Sequence, residues 1–468
     1  MKKIRLLAML LVVCIAAVSF AGCKPANTAN DKDEQGRTVI SVGGWPAKKG
    51  EKLDKMNARK EKFEEDNPDI AIVPDTWSYD IQSFYSKASA GQLPTVYSSV
   101  FTEIEKIISG GYGADLTEGL KRAGYEGKFN EAVMKIISRD GKIYTFPDST
   151  YALGLAYNVD LFEKAGLMNE DGTPMQPKDW DEVVEFGKKI TKATGKAGFI
   201  IPTMNNFGGW LFTPIAWSFG TEFMKAEGEN KYRATFDSKE FAAALKYISD
   251  LKWKHDILID NTLIDMDEYY KQFALGNAGM MLALNSFTDY VYKYEMPLEN
   301  IGYMAIPAGP VKHVTLTGGW TTTINANATE DQIDAAIKWI EAGGSGYNLS
   351  ENAKKTMEEN MKLNAEQKKA IGIESLSVYN EESERVNYSK ELIKKYATLD
   401  LNHVKLYNDS LYNSEIELKP EEPVCTQDLY AVIDGLIQEV LTNENADIDA
   451  LIKTANAEFQ KNYLDKLD

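Results

Sequence analysis

The sequence predicts an α/β protein that ends in a helical section, and three observations predict this class. A β-branched run at Thr38–Val42 stops at glycines, a helical pattern covers Glu51–Asp66, and another apolar run follows at 70–73. Strand, helix and strand in this order fit one parallel βαβ unit. Helix-capping signals then recur along the chain. Beyond residue 345, strand signals give way to long helical stripes.

The chain begins with an export signal. Basic residues open it, an apolar segment covers 6–18, and Ala21-Gly22 immediately precede Cys23. The apolar segment is too short to span a membrane, so 1–22 is interpreted as a signal peptide. A cysteine in this place resembles the lipobox of bacterial lipoproteins, in which the thiol is acylated and becomes residue one. The resemblance implies a lipid anchor, such as palmitate, at Cys23. The alternative is an ordinary secretory signal with an incidental cysteine.

Composition limits the possible partners. The chain carries 70 acidic and 52 basic side chains, a formal net charge of −18. Such a protein repels phosphate backbones, which argues against nucleic acid as a partner. A length of 468 residues is too great for one compact core, so two or more domains are expected.

Cysteine and histidine give no support for a disulfide or a metal. If Cys14 leaves with the signal and Cys23 is the anchor, Cys425 is left alone and no internal disulfide forms. The three histidines lie far apart and in no zinc-binding spacing. No metal and no cofactor are expected.

The mature chain opens with a polar tether and continues with capped helices. Residues 23–37 are polar and charged, which is typical of a flexible tether. Asn67-Pro68 ends the first helix. Asp179 and Thr329, each followed three residues later by Glu or Gln, predict the beginnings of two further helices.

Aromatic residues in predicted loops indicate a binding site. Trp45, Trp77 with Tyr79, Trp210 and Trp320 follow strands or glycines, where open α/β sheets place ligands. Flat rings beside polar side chains suit sugars, because sugar C–H faces stack on the ring and sugar hydroxyls need hydrogen-bond partners. Each ring has an equally good interpretation as filling a core or a loop base. The core interpretation is favoured for two tryptophans inside helical stripes, Trp180 and Trp339.

Signals for catalysis are weak. The chain has neither a G-x-S-x-G sequence nor a P-loop, and no carboxylate pair stands in a distinctive setting. Asp265 and Asp267 could form part of a calcium loop, but a cap for the helix that carries Tyr269 is the better interpretation. We expect a binding protein rather than an enzyme.

Several sequence motifs follow one another along the chain. They are FEEDNP at 63–68, GQLP at 91–94, DGKIYTFP at 140–147, LAYNVDLFEKAGL at 155–167, FALGNAGM at 273–280 and IP at 306–307. This series resembles the extracellular solute-binding proteins of carbohydrate ABC importers, of the maltodextrin-binding type. The motifs run in family order from about Val39 to Trp339, and the resemblance thins over 349–420.

The resemblance implies a two-lobed, type II periplasmic-binding-protein-like fold with a cleft between the lobes and a helical C-terminal section. Crossing segments are expected at 148–152 and 314–319. The N-terminal lobe is then 38–147 plus 319–345, and the C-terminal lobe is 148–318 plus 346–468. Within the first crossing segment, Asp148 and Tyr151 are expected at the hinge.

The resemblance also supplies further ligand candidates. Asn285 and Ser286 follow the Gly-Met motif, and Tyr430 matches a ring near the start of a late helix. Asp75 is a further ligand candidate, because it lies in the same predicted loop as Trp77 and Tyr79. Asp75, Asp148 and Asn285 are expected to orient sugar hydroxyls.

The predicted protein is a lipid-anchored, monomeric receptor on the outer side of the cell membrane. It captures a carbohydrate, preferably an oligosaccharide, and delivers it to the membrane subunits of an ABC permease when the cleft closes. Two alternatives stay open: a receptor for a peptide or polyamine, and a surface glycosidase.

Overall fold

The structure is a computed structural model that describes residues 31–228, 231–413 and 415–467. The predicted signal peptide at 1–22, the anchor Cys23 and the first part of the tether lie outside the described residues.

Thirteen strands belong to the described part of the chain. They are β1 (Thr38–Val42), β2 (Ile70–Pro74), β3 (Val96–Val100), β4 (Ser138–Arg139), β5 (Lys142–Ile143), β6 (Phe146–Asn158), β7 (Ala197–Phe199), β8 (Met224–Gly228), β9 (Lys231–Ala234), β10 (Ala278–Leu284), β11 (Ile301–Met304), β12 (Val314–Ile324) and β13 (Glu417–Pro420).

Nine of these strands form one sheet in the order β2-β1-β3-β12-β6-β10-β7, with β11 on β6 and β13 on β12. Strands β1, β2 and β3 are parallel, as the predicted βαβ unit requires. β4 with β5, and β8 with β9, form two separate antiparallel hairpins.

Two long strands carry the chain between the halves of this sheet. The first half of β6 pairs with β12, and its second half pairs with β10 and β11. β12 pairs with β13 at its beginning and with β3 at its end. The motif DGKIYTFP and the Gly-Gly pair at 318–319 therefore adjoin the segments that link the two halves.

The α-helices of the described residues are α1 (Glu51–Asp66), α2 (Ile81–Ser89), α3 (Ile104–Ser109), α4 (Thr117–Arg122), α5 (Glu131–Ile137), α6 (Val159–Lys164), α7 (Trp180–Thr194), α8 (Phe207–Ser218), α9 (Lys239–Trp253), α10 (Met266–Ala274), α11 (Phe287–Lys293), α12 (Glu330–Ile340), α13 (Glu351–Glu366), α14 (Glu384–Tyr396), α15 (Lys405–Ser410), α16 (Thr426–Thr442) and α17 (Ile448–Asn462).

The predicted caps begin the predicted helices. The Asp179 side chain accepts the backbone N–H of Glu182 at the start of α7, and Gly195 ends that helix in the left-handed conformation. Thr329 and Gln332 form a complete capping box at α12. Local polar chemistry therefore fixes these boundaries.

Buried apolar side chains gather mainly in two clusters. One lies around β1, β2, β3, α5 and α12 and includes Trp45, Phe63 and Trp339. The larger one lies around β6, α7 to α9, β10 and α16. Val378, Tyr379 and Val386 join the first cluster, although they lie in 346–468, which the sequence assigns to the other lobe. This segment therefore packs against both clusters.

Two searches of the described residues gave negative results. None of their helices combines the length and the apolar character that a membrane crossing needs. They also contain no group of three or more His, Cys, Asp or Glu side chains that could hold a metal ion.

Candidate functional site

The loops after β1 and β2 are tied together at the carboxyl edge of the parallel strands. The N–H of Gly43 donates to the Val96 carbonyl (2.8 Å), and the N–H of Gly44 donates to the Trp77 carbonyl (2.6 Å). A Cβ on Gly43 would lie 3.0 Å from Pro94 and 3.1 Å from the Trp77 carbonyl oxygen. Glycine is needed here because the two loops approach so closely.

This edge carries a cluster of aromatic rings. Trp77 is half-buried, and its ring centroid lies 6.5 Å from that of Tyr79 and 6.0 Å from that of Tyr97. The Trp77 indole donates to the Ser83 hydroxyl (3.1 Å). Asp75 holds its own loop, because its carboxylate accepts the N–H of Trp77 (2.8 Å). The structure thus gives Asp75 a local partner that the prediction of a sugar contact did not consider.

Glu103 lies beside these rings and was not a sequence candidate. It is only 4 % exposed, accepts the Tyr85 hydroxyl (3.2 Å), and lies 3.5 Å from the Lys106 ammonium. Burial, and then the nearby Glu103 carboxylate, raise the pKa of both Tyr79 and Tyr85. Both phenols therefore stay neutral hydrogen-bonding groups at physiological pH.

Trp320 lies on the crossing strands. It is part of β12 rather than of a loop, opposite Ser149 of β6, and is 56 % exposed. Gly318 pairs with Tyr151, and a Cβ on Gly318 would lie 2.2 Å from the Tyr151 hydroxyl oxygen. Because residues two apart on a strand share a face, the rings of Trp320 and Tyr151 lie on the same side of the crossing strands.

Three predicted residues converge on Glu421, directly after β13. The Tyr430 hydroxyl donates to the Glu421 carboxylate (2.7 Å), and the Trp210 indole also hydrogen-bonds to it. Tyr151 lies within electrostatic reach of the same carboxylate. Burial raises the pKa of Glu421, while the bonds from Tyr430 and Trp210 lower it.

Local packing explains why these residues meet. Trp210 lies in the first turn of α8 rather than in a loop. A Cβ on Gly209 would lie 2.4 Å from the Tyr430 carbonyl oxygen, so only glycine lets α8 pack this closely on α16. The Asp434 carboxylate accepts the N–H groups of Asn206 (2.7 Å) and Gly209 (2.6 Å), which holds the start of α8 against α16.

The two halves of the molecule approach each other beyond this site. Tyr232, on the β8–β9 hairpin, packs against the larger core cluster and lies within electrostatic reach of Glu103 and Glu105. Burial first, and then these carboxylates, raise the pKa of Tyr232. The hairpin thus brings a hydroxyl-bearing ring close to the aromatic cluster of the first half.

Two candidate rings are buried. Trp45 is 4 % exposed and stacks on Trp339 with 6.1 Å between ring centroids, so it belongs to the core. Tyr430 is 1 % exposed, so its ring supports Glu421 rather than offering a stacking face. Trp45 lies in the loop after β1 and Tyr430 near the start of α16, as predicted, but Trp45 is covered by Trp339 and neither ring presents an exposed face to a ligand.

Asp148 faces the interior of the first half. Its carboxylate accepts the Thr322 hydroxyl (2.7 Å), and the Arg59 guanidinium lies nearby. Burial raises the pKa of Asp148 to about 6, although bonds from Thr322 and Ser345 and the charge of Arg59 oppose this shift. Burial also lowers the pKa of Arg59 to about 10.

Asn285 and Ser286 connect to the segment over which the family resemblance thins. The Asn285 amide donates to the Ser375 hydroxyl (2.9 Å), and Ser286 is exposed where α11 begins. Asp265 caps α10 by accepting the N–H of Glu268, and Asp267 pairs with Lys293 (2.7 Å). The capping interpretation of Asp265 is confirmed.

The site as a whole offers rings beside fixed carboxylates. The exposed face of Trp320 can stack on an apolar surface, and Glu421, Tyr79, Tyr85 and Tyr232 supply acceptors and donors. Neither of the two carboxylates, Glu103 and Glu421, was among the site residues predicted from the sequence. Glu421 lies in the sequence Pro420-Glu421-Glu422-Pro423, and two acidic residues enclosed by prolines were a signal that could have identified it.

Comparison with known proteins gives a family match. Residues 47–345 match the family described as bacterial extracellular solute-binding protein. A binding protein of Brucella abortus is 27 % identical over 282 residues, which cover 59 % of this chain and 64 % of the relative. The chain therefore spans about 64 % of the length of this curated relative.

Two further relatives have more specific descriptions. The arabinooligosaccharide-binding protein of Halalkalibacterium halodurans is 28 % identical over 156 residues, 33 % of this chain and 32 % of that protein. The sn-glycerol-3-phosphate-binding periplasmic protein of Brucella abortus is 26 % identical over 311 residues, 62 % of this chain and 67 % of that protein.

A solved structure covers almost the whole chain. The cyclic α-maltosyl-1,6-maltose binding protein of Arthrobacter globiformis superposes with a TM-score of 0.60 at 20 % identity. The match covers 90 % of this chain and 98 % of that protein. At this identity the likeness shows the fold.

Proposed function

The chain belongs to the bacterial extracellular solute-binding protein family and has the type II periplasmic-binding fold, and from this premise we propose that it is a carbohydrate receptor of an ABC importer. It captures an uncharged carbohydrate outside the cytoplasm, with an oligosaccharide favoured, and passes it to permease subunits in the membrane. It acts as a monomer and performs no catalysis. The predicted family and fold class are confirmed; the function is the proposal.

One observation carries the proposal: the Trp320 ring is exposed on the crossing strands, on the same face as Tyr151, and Tyr151 lies within electrostatic reach of Glu421. An exposed tryptophan ring offers a flat apolar face, and a sugar presents C–H faces that can stack on such a ring. The adjoining hydroxyls and carboxylates suit sugar hydroxyls. The maltosyl and arabinooligosaccharide ligands in the descriptions of similar proteins agree with this chemistry.

Closure of two lobes about β6 and β12 is the proposed mechanism. The lobes are 38–147 with 319–345 and 148–318 with 346–468, and the two core clusters support this division apart from 378–386. A ligand that touches both lobes stabilises the closed state by its differential affinity for that state. The approach of Tyr232 to Glu103 marks a place where the lobes would meet.

A thermal-shift screen tests the proposal. Plant, host and starch oligosaccharides are added to the purified domain, and a ligand that binds only the folded state raises the melting temperature. We expect a shift with at least one neutral oligosaccharide, returned chemically intact after incubation. Release of shorter sugars would instead favour a glycosidase. A shift with spermidine or oligolysine alone would favour a polyamine or peptide receptor.

We also propose that Cys23 carries the lipid anchor. The Cys23→Ala variant of the full chain should lose lipidation and be released or keep its signal, while its purified domain binds sugar normally. Fractionation of cells into detergent-soluble and released protein measures this. A Cys23→Ala protein that is processed normally and still requires detergent would exclude the anchor.

A further inference from the structure

Glu421 is a half-buried carboxylate whose hydrogen-bond partners, Tyr430 and Trp210, are neutral. Its position directly after β13, which pairs with β12 at Pro420 and Thr317, places it where the two halves of the molecule join. Among the described residues, no Lys, Arg or His lies within ion-pair distance of it. Removing a carboxylate even partly from water without a nearby cation costs free energy, so a residue kept in this state calls for a function.

The hydrogen bonds to Glu421 orient it and leave acceptor capacity unused. An ionised carboxylate has about four acceptor sites, and Tyr430 and Trp210 use two of them. Both donors come from packed helices, α16 and α8, so the carboxylate is fixed before any ligand arrives. A preorganised acceptor binds at a lower entropic cost than a mobile one.

Open space lies beside this part of the chain. Glu421 lines a cavity of about 590 Å³ whose walls also include Phe101, Thr102 and Glu105 from the first half of the molecule. A ligand group in this cavity would touch both halves. Glu105 forms an ion pair with Arg139, so its charge is already compensated.

The lysines of this region are also paired, beginning with Lys135 in the cavity wall, which lies 3.5 Å from Glu131. Lys419 lies 3.3 Å from Glu422 and 4.3 Å from the Trp217 ring centroid, and Lys106 lies 3.5 Å from Glu103. An anionic group next to Glu421 would meet repulsion without a free cation to offset it. A neutral hydroxyl would instead donate a charge-assisted hydrogen bond, the stronger kind of hydrogen bond.

From this geometry we propose that Glu421 is a specificity-determining ligand contact, which accepts hydroxyl protons from an uncharged carbohydrate and excludes phosphorylated or carboxylated solutes. The inference rests on the proposed carbohydrate function. It also separates this chain from its relative that binds sn-glycerol 3-phosphate. Trp210 and Tyr430 are positioning residues, since they act by holding Glu421.

The first arm of the test uses the unaltered protein. Calorimetry is performed with maltotriose and α-1,5-arabinotriose as neutral probes and sn-glycerol 3-phosphate as the anionic probe. We expect binding of a neutral trisaccharide and no heat from the phosphate ester. If the phosphate ester binds more tightly than either sugar, the selectivity is overturned. If none of the three binds, the proposed function itself fails, and the role of Glu421 fails with it.

The second arm compares two neighbouring variants. Glu421→Gln keeps the side-chain volume and one acceptor, and it should weaken trisaccharide binding at least tenfold with little change in melting temperature. Glu422→Gln is the matched control, because Glu422 is buried and its carboxylate is already bound to the Trp217 indole (3.0 Å) and to Lys419 (3.3 Å). It should lower the melting temperature and leave affinity unchanged. Equal affinity in Glu421→Gln and the unaltered protein would overturn the assignment.

A positioning variant keeps the proposal testable if Glu421→Gln folds poorly. Trp210→Phe retains the ring and removes the indole donor to Glu421, so it should lower trisaccharide affinity severalfold at an unchanged melting temperature. In the Glu421→Gln background the same substitution should add little. Additive losses in the double variant would show that Trp210 acts independently of Glu421.

Discussion

Two tryptophans with the same local sequence have different environments. Trp45 follows Gly43-Gly44 and Trp320 follows Gly318-Gly319, and both precede a helix in the chain. Trp45 is nevertheless buried against Trp339 and donates its indole N–H to Asn57 (3.3 Å), whereas Trp320 stays exposed in β12. The flanking glycines permit either outcome, and the long-range packing of α12 decides between them.

The two Gly-Gly-Trp sites form a matched pair for mutation. Trp320→Ala should weaken sugar binding by ~1–3 kcal/mol, since a stacking face is lost, with little change in stability. Trp45→Ala should cost roughly 3–5 kcal/mol of stability, as large core truncations do, and leave the folded fraction able to bind. Chemical denaturation and calorimetry measure the two effects. Normal binding by Trp320→Ala would contradict the stacking role.

Asp148 should make stability depend on pH. Its pKa is raised to about 6 in the folded protein by burial, so it stays protonated there at pH values where the unfolded chain has released the proton. Its stabilising contribution is therefore complete below about pH 4 and is lost as the pH rises through 6. Arg59, which faces Asp148, stays charged over this range, and the other partners of Asp148 are the hydroxyls of Thr322 and Ser345.

Comparison with Asp148→Asn isolates this effect. The variant keeps an acceptor for Thr322 and carries no titrating group, so its stability relative to the unaltered protein should increase by on the order of 1–3 kcal/mol between pH 4 and pH 7. Urea denaturation at several pH values measures the difference. A difference that is constant over this range would show that Asp148 titrates near its ordinary pKa.

At the scale of elements, the crossing strands combine threonine and glycine. Buried hydroxyls join β3 and β12, where Ser99 lies 2.7 Å from Thr321 and 2.9 Å from Thr323. Gly319 has φ +150°, and a Cβ there would lie 2.0 Å from the Ser149 carbonyl oxygen. The sheet is thus held by polar contacts on its buried side and by close backbone approach near Trp320.

Two glycine substitutions should change stability in opposite directions. Gly319→Ala should destabilise the protein by on the order of 1–3 kcal/mol, because the new methyl group meets the backbone of β6 and the conformation is strained. Gly435→Ala in α16 should stabilise it by up to about 1 kcal/mol, since no heavy atom lies within 4 Å of the added Cβ and alanine favours the helix. Thermal denaturation of both variants provides the measurement. A neutral Gly319→Ala would contradict the close approach.

At the scale of the whole molecule, charge bears on the class of ligand. The chain has a net charge of −18, and the acidic groups nearest to the proposed site, apart from Glu421, are paired with lysine or arginine. Charge compensation of this kind suits a neutral ligand, because no strong ion pair then forms on binding.

Salt dependence tests this view of the whole surface. The affinity for a neutral sugar should change less than twofold between low and high salt, because screening acts only on charged partners. Calorimetry in 20 mM and 500 mM sodium chloride (roughly a fivefold change in Debye length) would measure this. A steep loss of affinity at high salt would instead support a cationic peptide or polyamine.

The sequence by itself determined the elements and the family. The βαβ unit at 38–74, the caps at Asp179 and Thr329, the core positions of Trp180 and Trp339, and the ordered motifs all depend on local chemistry or periodicity, which one chain displays directly. Each such feature needs only neighbours within a few residues. These predictions are confirmed, and the lipid anchor and lobe boundaries stay predictions.

Only the tertiary structure decided which side chains share the site. Tyr151, Trp210 and Tyr430 meet at Glu421, although 270 positions of sequence separate Tyr151 from Glu421. The same long-range packing buries the Trp45 ring against Trp339 and places the Asp148 carboxylate near Arg59. Whether a side chain is buried, and which groups it contacts, depend on the helix that packs over it, and that helix lies far away in the sequence. Glu421, which follows Pro420, thus lies at the centre of the candidate site because of contacts that no local sequence pattern encodes.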